Sequence, residues 1–117
     1  MKDKSVEKEI EKWTDWLSEN KAEDVVTQNI SEISDLCDYV ITATVNNSRH
    51  MSHLSESAMQ FAKELNASLL NADGLNNKEW VVLDYGIYMI HLFLPDTREK
   101  YNLSELWKEI KISKKDE

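Results

Sequence analysis

Apolar residues at the start of the chain recur at helical spacing. Val6, Ile10, Trp13 and Leu17 lie four, three and four positions apart, which aligns them on one side of a helix with Glu and Lys opposite. Trp16 lies beside that stripe and widens it. The period then changes. Residues 24–30 (DVVTQNI) and 36–45 (LCDYVITATV) read as strands, and the short Ser/Asp link between them predicts an antiparallel pair. Asn46, Asn47 and Ser48 offer an N-cap to a second helix over 49–66, where Met51, Leu54, Ala58, Phe61, Ala62 and Leu65 return to helical spacing. That helix is a crossover, which allows the strands before and after it to run parallel.

Leu69 and Leu70 are expected in a short buried strand, ahead of a loop marked by Asp73-Gly74 and Asn76-Asn77. Residues 80–93, WVVLDYGIYMIHLF, then place two apolar runs around a Tyr85-Gly86 break, the pattern of a β-hairpin. Pro95 stops the last strand and 97–101 suit a helical turn. Asn102 with Glu105 three positions on resembles a capping box, opening a final helix through Leu103, Leu106, Trp107 and Ile110. The order α-β-β-α-β-β-β-α predicts an α+β domain over 1–110, a single mixed sheet of about five strands with helices packed on it. Residues 111–117 read as a charged, frayed tail.

The hairpin carries the candidate chemistry. With Tyr85 and Gly86 as a two-residue turn, Asp84 faces Ile87, Val82 faces Met89 and Trp80 faces His91. Strand alternation then puts Trp80, Val82, Asp84, Met89 and His91 on one surface. An indole, an imidazole and a carboxylate interrupt a run otherwise apolar enough for a sheet core. This surface is therefore the candidate recognition site.

Composition narrows the function classes. A chain of 117 residues has room for one core, and 41% hydrophobic with 31% charged residues fits an ordered globular domain. Two glycines and one proline argue against a Gly-rich nucleotide loop. No apolar run has the length of a membrane span, and the N-terminus lacks the apolar core of a secretory signal, so a cytoplasmic protein with no membrane partner is expected. The net charge of −8 weighs against direct binding to DNA or other nucleic acid. Such charge most often serves solubility alone, though an acidic domain can still act on a ribonucleoprotein by docking on one of its basic proteins. Cys37 is alone, which excludes a disulfide within the chain and agrees with a reducing compartment.

No catalytic constellation emerges. His50 and His53, three positions apart on a helix, could share a metal ion with Asp84 or His91, but no HExxH motif or cysteine pair supports that, and neither a metal nor a cofactor is expected. Cys37 as a nucleophile is weighed against a buried small side chain in an apolar strand. Asp35, Asp38 and Asp84 lack the glycine-rich phosphate loop that would accompany magnesium-dependent phosphoryl chemistry. Arg49-His50 at a helix start could receive an anion, or Arg49 could anchor a carboxylate of this chain such as Asp84, which is the simpler reading.

Taken together, Asp38-Tyr39-Val40-Ile41 with Ala43-Thr44, Ser48-Arg49-His50, Asp73-Gly74, the run from Trp80 through Asp84, Tyr85 and Gly86, His91, Tyr101-Asn102-Leu103 and Leu106-Trp107 resemble the Iojap family, the bacterial ribosomal silencing factors. The blocks occur in the family's order over 22–107. The resemblance implies a protein that binds the large ribosomal subunit through ribosomal protein L-fourteen, blocks joining of the small subunit and represses translation when nutrients are scarce. It implies a nucleotidyltransferase-like topology without the catalytic Gly-Ser and paired-aspartate motif, and hence no enzyme. Trp80, Asp84, Tyr85 and His91 carry over as partner-binding positions, with Arg49, His50 and Tyr101 as structural or secondary contacts. Three departures stand out: Val45 where many relatives have glycine, Ile87 where an aspartate often follows the hairpin glycine, and the loop 75–79. The alternatives are a divergent nucleotidyltransferase-like, metal-dependent enzyme and a self-associating module that forms a homodimer when free.

Overall fold

The computed structural model describes residues 4–35 and 37–100. Helix α1 (Lys4–Glu19) is followed by strands β1 (Glu23–Asn29) and β2 (Tyr39–Thr44), helix α2 (Ser48–Glu64), strands β3 (Asn71–Asp73), β4 (Trp80–Asp84) and β5 (Tyr88–Phe93), and the short helix α3 (Pro95–Lys100). The five strands form one sheet in the order β1-β2-β5-β4-β3. The pairs β1–β2, β3–β4 and β4–β5 are antiparallel, and β2–β5 is parallel. This is the α+β architecture on a single mixed sheet. The crossover expectation holds in direction, since β3 runs parallel to β2, while the strand that pairs with β2 is β5. The longer, more apolar strand takes the central position, and three-residue β3 takes the edge.

Both long helices cover the same side of the sheet. Ile10, Trp13 and Leu17 of α1 and Met51, Leu54, Ala58 and Ala62 of α2 pack with Tyr39, Ile41, Ala43, Val81, Leu83, Tyr88, Ile90 and Leu92. Trp13 lies at the centre, edge-on to Phe61 at 4.9 Å, while Trp16 stacks on Phe61 at 5.0 Å. The indole N–H of Trp13 donates to the Tyr88 hydroxyl at 2.8 Å, and Tyr88 donates in turn to Glu9, so both of these buried polar groups are satisfied. Val45 is fully buried in the same core. Asn47 caps α2, accepting from the His50 backbone N–H at 2.8 Å.

The two helices end alike. Lys21 (φ 69) and Asn66 (φ 59) take the left-handed conformation, and the next residues, Ala22 and Ala67, return hydrogen bonds to Leu17 and Ala62, both at 2.9 Å. This paired closure satisfies the last carbonyls and turns an alanine inward onto the core. Leu69 and Leu70 depart from expectation. They precede β3 and are exposed, at 39% and 68%, because the short edge strand begins only at Asn71.

Candidate functional site

The side of the sheet facing away from the long helices is built by alternation. Cross-strand partners share a face, so Trp80 with Phe93, Val82 with His91 and Asp84 with Met89 lie together, continued on β2 by Thr44, Thr42 and Val40. The hairpin register differs from the sequence expectation. Tyr85 N–H bonds to the Tyr88 carbonyl at 3.0 Å, which centres the turn on Gly86-Ile87 instead of Tyr85-Gly86. Gly86 (φ 90) supplies the left-handed φ required at the first turn position, and the Asp84 Oδ1 accepts its N–H at 2.9 Å. Moving the turn centre by one residue moves each cross-strand partner by two, so the expected face survives while its pairings change.

Trp80 is held from several directions. Gly74 (φ 83) precedes it in the β3–β4 loop, and a Cβ there would fall 1.9 Å from the Trp80 carbonyl oxygen, so only glycine lets the loop approach so closely. The Trp80 ring stacks on its direct partner Phe93 at 5.0 Å, and its N–H reaches diagonally to His91 Nδ1 at 3.0 Å. That bond places the proton of neutral His91 on Nε2. Burial pushes the imidazole down to about 4, so it stays neutral and remains an acceptor for the indole through the physiological range.

On the β2 side the face is closed by Arg98 of α3. Its Nη1 donates to the Asp24 carbonyl at 2.7 Å and to Thr44 Oγ1 at 2.8 Å, and its Nη2 donates to Thr42 Oγ1 at 3.4 Å. Asp24 (φ 49) sits where β1 shifts register against β2. Arg98 and the two threonines escape sequence reading because they meet only in the fold, more than fifty positions apart. Phe93 was legible by strand parity alone.

The remaining candidates separate. Tyr85 lies on the helix side, buried, with its ring 5.7 Å from Trp13 and 5.5 Å from Tyr88. It does not share the Trp80 surface. Its hydroxyl has no partner among the described residues, and burial pushes it up to about 12. His50 is partly buried, with Nε2 3.0 Å from the Asn20 carbonyl, tying the start of α2 to the end of α1. Arg49 is exposed and does not anchor Asp84, whose carboxylate instead holds the hairpin turn. Tyr101 and the expected capping box at Asn102 lie outside the described residues.

Among the described residues no three metal-ligating side chains gather. The Cys37 thiol is buried and pushed up to about 11, first by burial and then by the Asp84 and Asp38 carboxylates, the opposite of nucleophile activation.

Comparison with known proteins supplies the identity. The family model described as "Ribosomal silencing factor during starvation" matches residues 3–117. A ribosomal silencing factor from Zymomonas mobilis is 31% identical over 94 residues, covering 80% of this chain and 71% of the relative. An Iojap-related mitochondrial protein of Arabidopsis thaliana is 27% identical, covering 78% of this chain and 52% of that protein. A crystal structure of a Chromobacterium violaceum protein superimposes with a TM-score of 0.80 at 28% identity, covering 86% of this chain and 85% of that one. Since the family model spans nearly the whole sequence, this chain belongs to the ribosomal silencing factor family.

Proposed function

We propose that the chain represses translation in the cytoplasm by docking on the large ribosomal subunit through ribosomal protein L-fourteen and occupying space the small subunit needs. The observation that carries this reading is the half-buried row Trp80, Val82, Asp84 and Met89 on the sheet face away from the long helices, in a chain of net charge −8. Trp80 and Asp84 are the contact positions in this reading. His91 sets the Trp80 indole, and Tyr85 secures the hairpin from the core side. An acidic chain with a fixed aromatic suits a basic protein better than a nucleic acid backbone. Among the described residues no helix is long and apolar enough to cross a membrane.

The mechanism asks nothing of the chain except tight, oriented occupancy. No proton transfer or bond cleavage is involved, and the neutral His91 and protonated Cys37 thiol fit that role. The test is reassociation of purified subunits on a gradient with and without saturating protein. Joining should fall with the wild-type chain and recover with Trp80→Ala, since truncating an interface tryptophan typically costs roughly 2 kcal/mol or more. Full joining at saturating wild-type protein would overturn the mechanism. Undiminished inhibition by a folded Trp80→Ala would overturn the site.

A further inference from the structure

Four large hydrophobic side chains are exposed among the described residues, and two of them meet at one end of the sheet: Leu70 (68%) and Ile87 (48%). Backbone bonds tie the segments together there. Leu70 N–H donates to the Asp84 carbonyl at 2.8 Å, and Asp38 N–H donates to the Ile87 carbonyl at 2.7 Å. Leu70 leans over the hairpin glycine, its Cδ1 3.4 Å from where a Cβ on Gly86 would stand. The bare Gly86 backbone is thus a floor between two apolar residues, Leu70 and Ile87.

The strand ends that bond to one another here bring carboxylates to the patch. The bonded pairs Asp38–Ile87 and Leu70–Asp84 place Asp38 and Asp84 beside Leu70 and Ile87. Both carboxylates are half-buried. Exposed leucine and isoleucine grouped around a glycine floor are costly to leave in water and favour burial by a partner. The carboxylates around them exclude an acidic or nucleic acid occupant and select a cationic one.

We infer that this end of the sheet, Leu70, Gly86 and Ile87 beside the Asp38 and Asp84 carboxylates, is a docking surface for a basic protein segment that inserts an apolar side chain. The inference rests on the reading that the chain acts on the large subunit, and it extends the contact from the Trp80 face around Asp84 to the hairpin tip. Asp84 is the hinge between the two: its Oδ1 holds Gly86 while its residue continues the Trp80 row.

The experiment is co-sedimentation of the full chain with purified large subunits, alongside light scattering of the free chain. The double variant Leu70→Ser/Ile87→Ser changes only exposed side chains and should melt close to wild type. It should bind large subunits roughly tenfold more weakly or worse. Asp38→Asn should weaken binding too, with the loss shrinking at high salt. Leu75→Ser, an exposed leucine in the β3–β4 loop, should bind as wild type. If wild type pellets with large subunits and the double variant pellets equally, the inference fails while the proposed function stands. If wild type does not pellet, both fail. If the double variant binds normally but converts a wild-type dimer to a monomer, the patch belongs to a second copy and the inference is overturned.

Discussion

The two faces of this sheet come from the same strands, one residue out of phase, and they are stabilised in different ways. The helix side is nearly all apolar and fully enclosed, with Trp13, Ile41, Leu83, Ile90 and Leu92 completely buried. The other side mixes Trp80, His91, Phe93, Thr42 and Thr44, and its polar groups are held by specific bonds: indole to imidazole, guanidinium to hydroxyls. One face gains stability from area removed from water, the other fixes side-chain positions with hydrogen bonds. A surface meant to meet a partner needs the second kind of order, because its shape must exist before the partner arrives.

The sharpest way to break this contrast is to truncate one tryptophan on each side. Trp13→Ala should cost about 3–5 kcal/mol in denaturant unfolding, since it empties the centre of the aromatic cluster and removes the indole bond to the Tyr88 hydroxyl. Trp80→Ala, removing a half-buried ring, should cost less than half of that. Equal losses would show that both faces serve as core.

Acid titration separates the faces next. The His91 imidazole lies near 4 in the fold against an ordinary 6.5, so the unfolded chain binds the extra proton first as pH falls. The neutral form therefore stabilises the fold fully above about pH 6.5, and that contribution drains away as pH drops from there through 4. The shift is worth about 3 kcal/mol. Urea midpoints measured at pH 7, 5 and 4 should show the decline, and His91→Asn, which cannot titrate, should flatten that part of it. An identical slope in the variant would assign the acid sensitivity to other groups.

Two smaller effects sharpen the picture. Arg98→Met keeps the apolar stem but leaves the Thr42 and Thr44 hydroxyls without their donor, and a loss of about 1–2 kcal/mol is expected. No loss would mean that α3 does not latch the sheet. Tyr85→Phe removes a buried hydroxyl with no partner among the described residues, so stability should be unchanged or rise by about 0.5 kcal/mol. A clear loss would reveal a bond to Tyr85 from elsewhere in the chain.

Periodicity made the architecture legible: the Val6-Ile10-Trp13-Leu17 stripe, the Asn47 cap and the strand alternation all reappear as structure. The candidate face was legible for the same reason, since facing depends only on odd or even position along a strand. Register was not, because it depends on where the turn is centred, and Tyr85-Gly86 and Gly86-Ile87 look equally suitable until Asp84 is seen capping Gly86. Leu69 and Leu70 misled for another reason. Apolarity marks burial on average, and an apolar pair at an exposed edge reads the same as one in a core. The Arg98 latch had no local signal at all.

The parallel β2–β5 ladder at the middle of the sheet joins residues forty-nine positions apart at every rung, from Tyr39 with Tyr88 to Thr44 with Phe93. Local pieces such as the β1–β2 pair and α2 can form while the chain is still being synthesised, but the central ladder must wait until residue 93 has emerged. Until then the apolar stripe of α1 has only half of its eventual seat, and folding must close a long loop before that closure is rewarded. For a chain whose family silences ribosomes, the face that carries Trp80 and His91 is thus assembled only after residue 93 has left the ribosome that makes it.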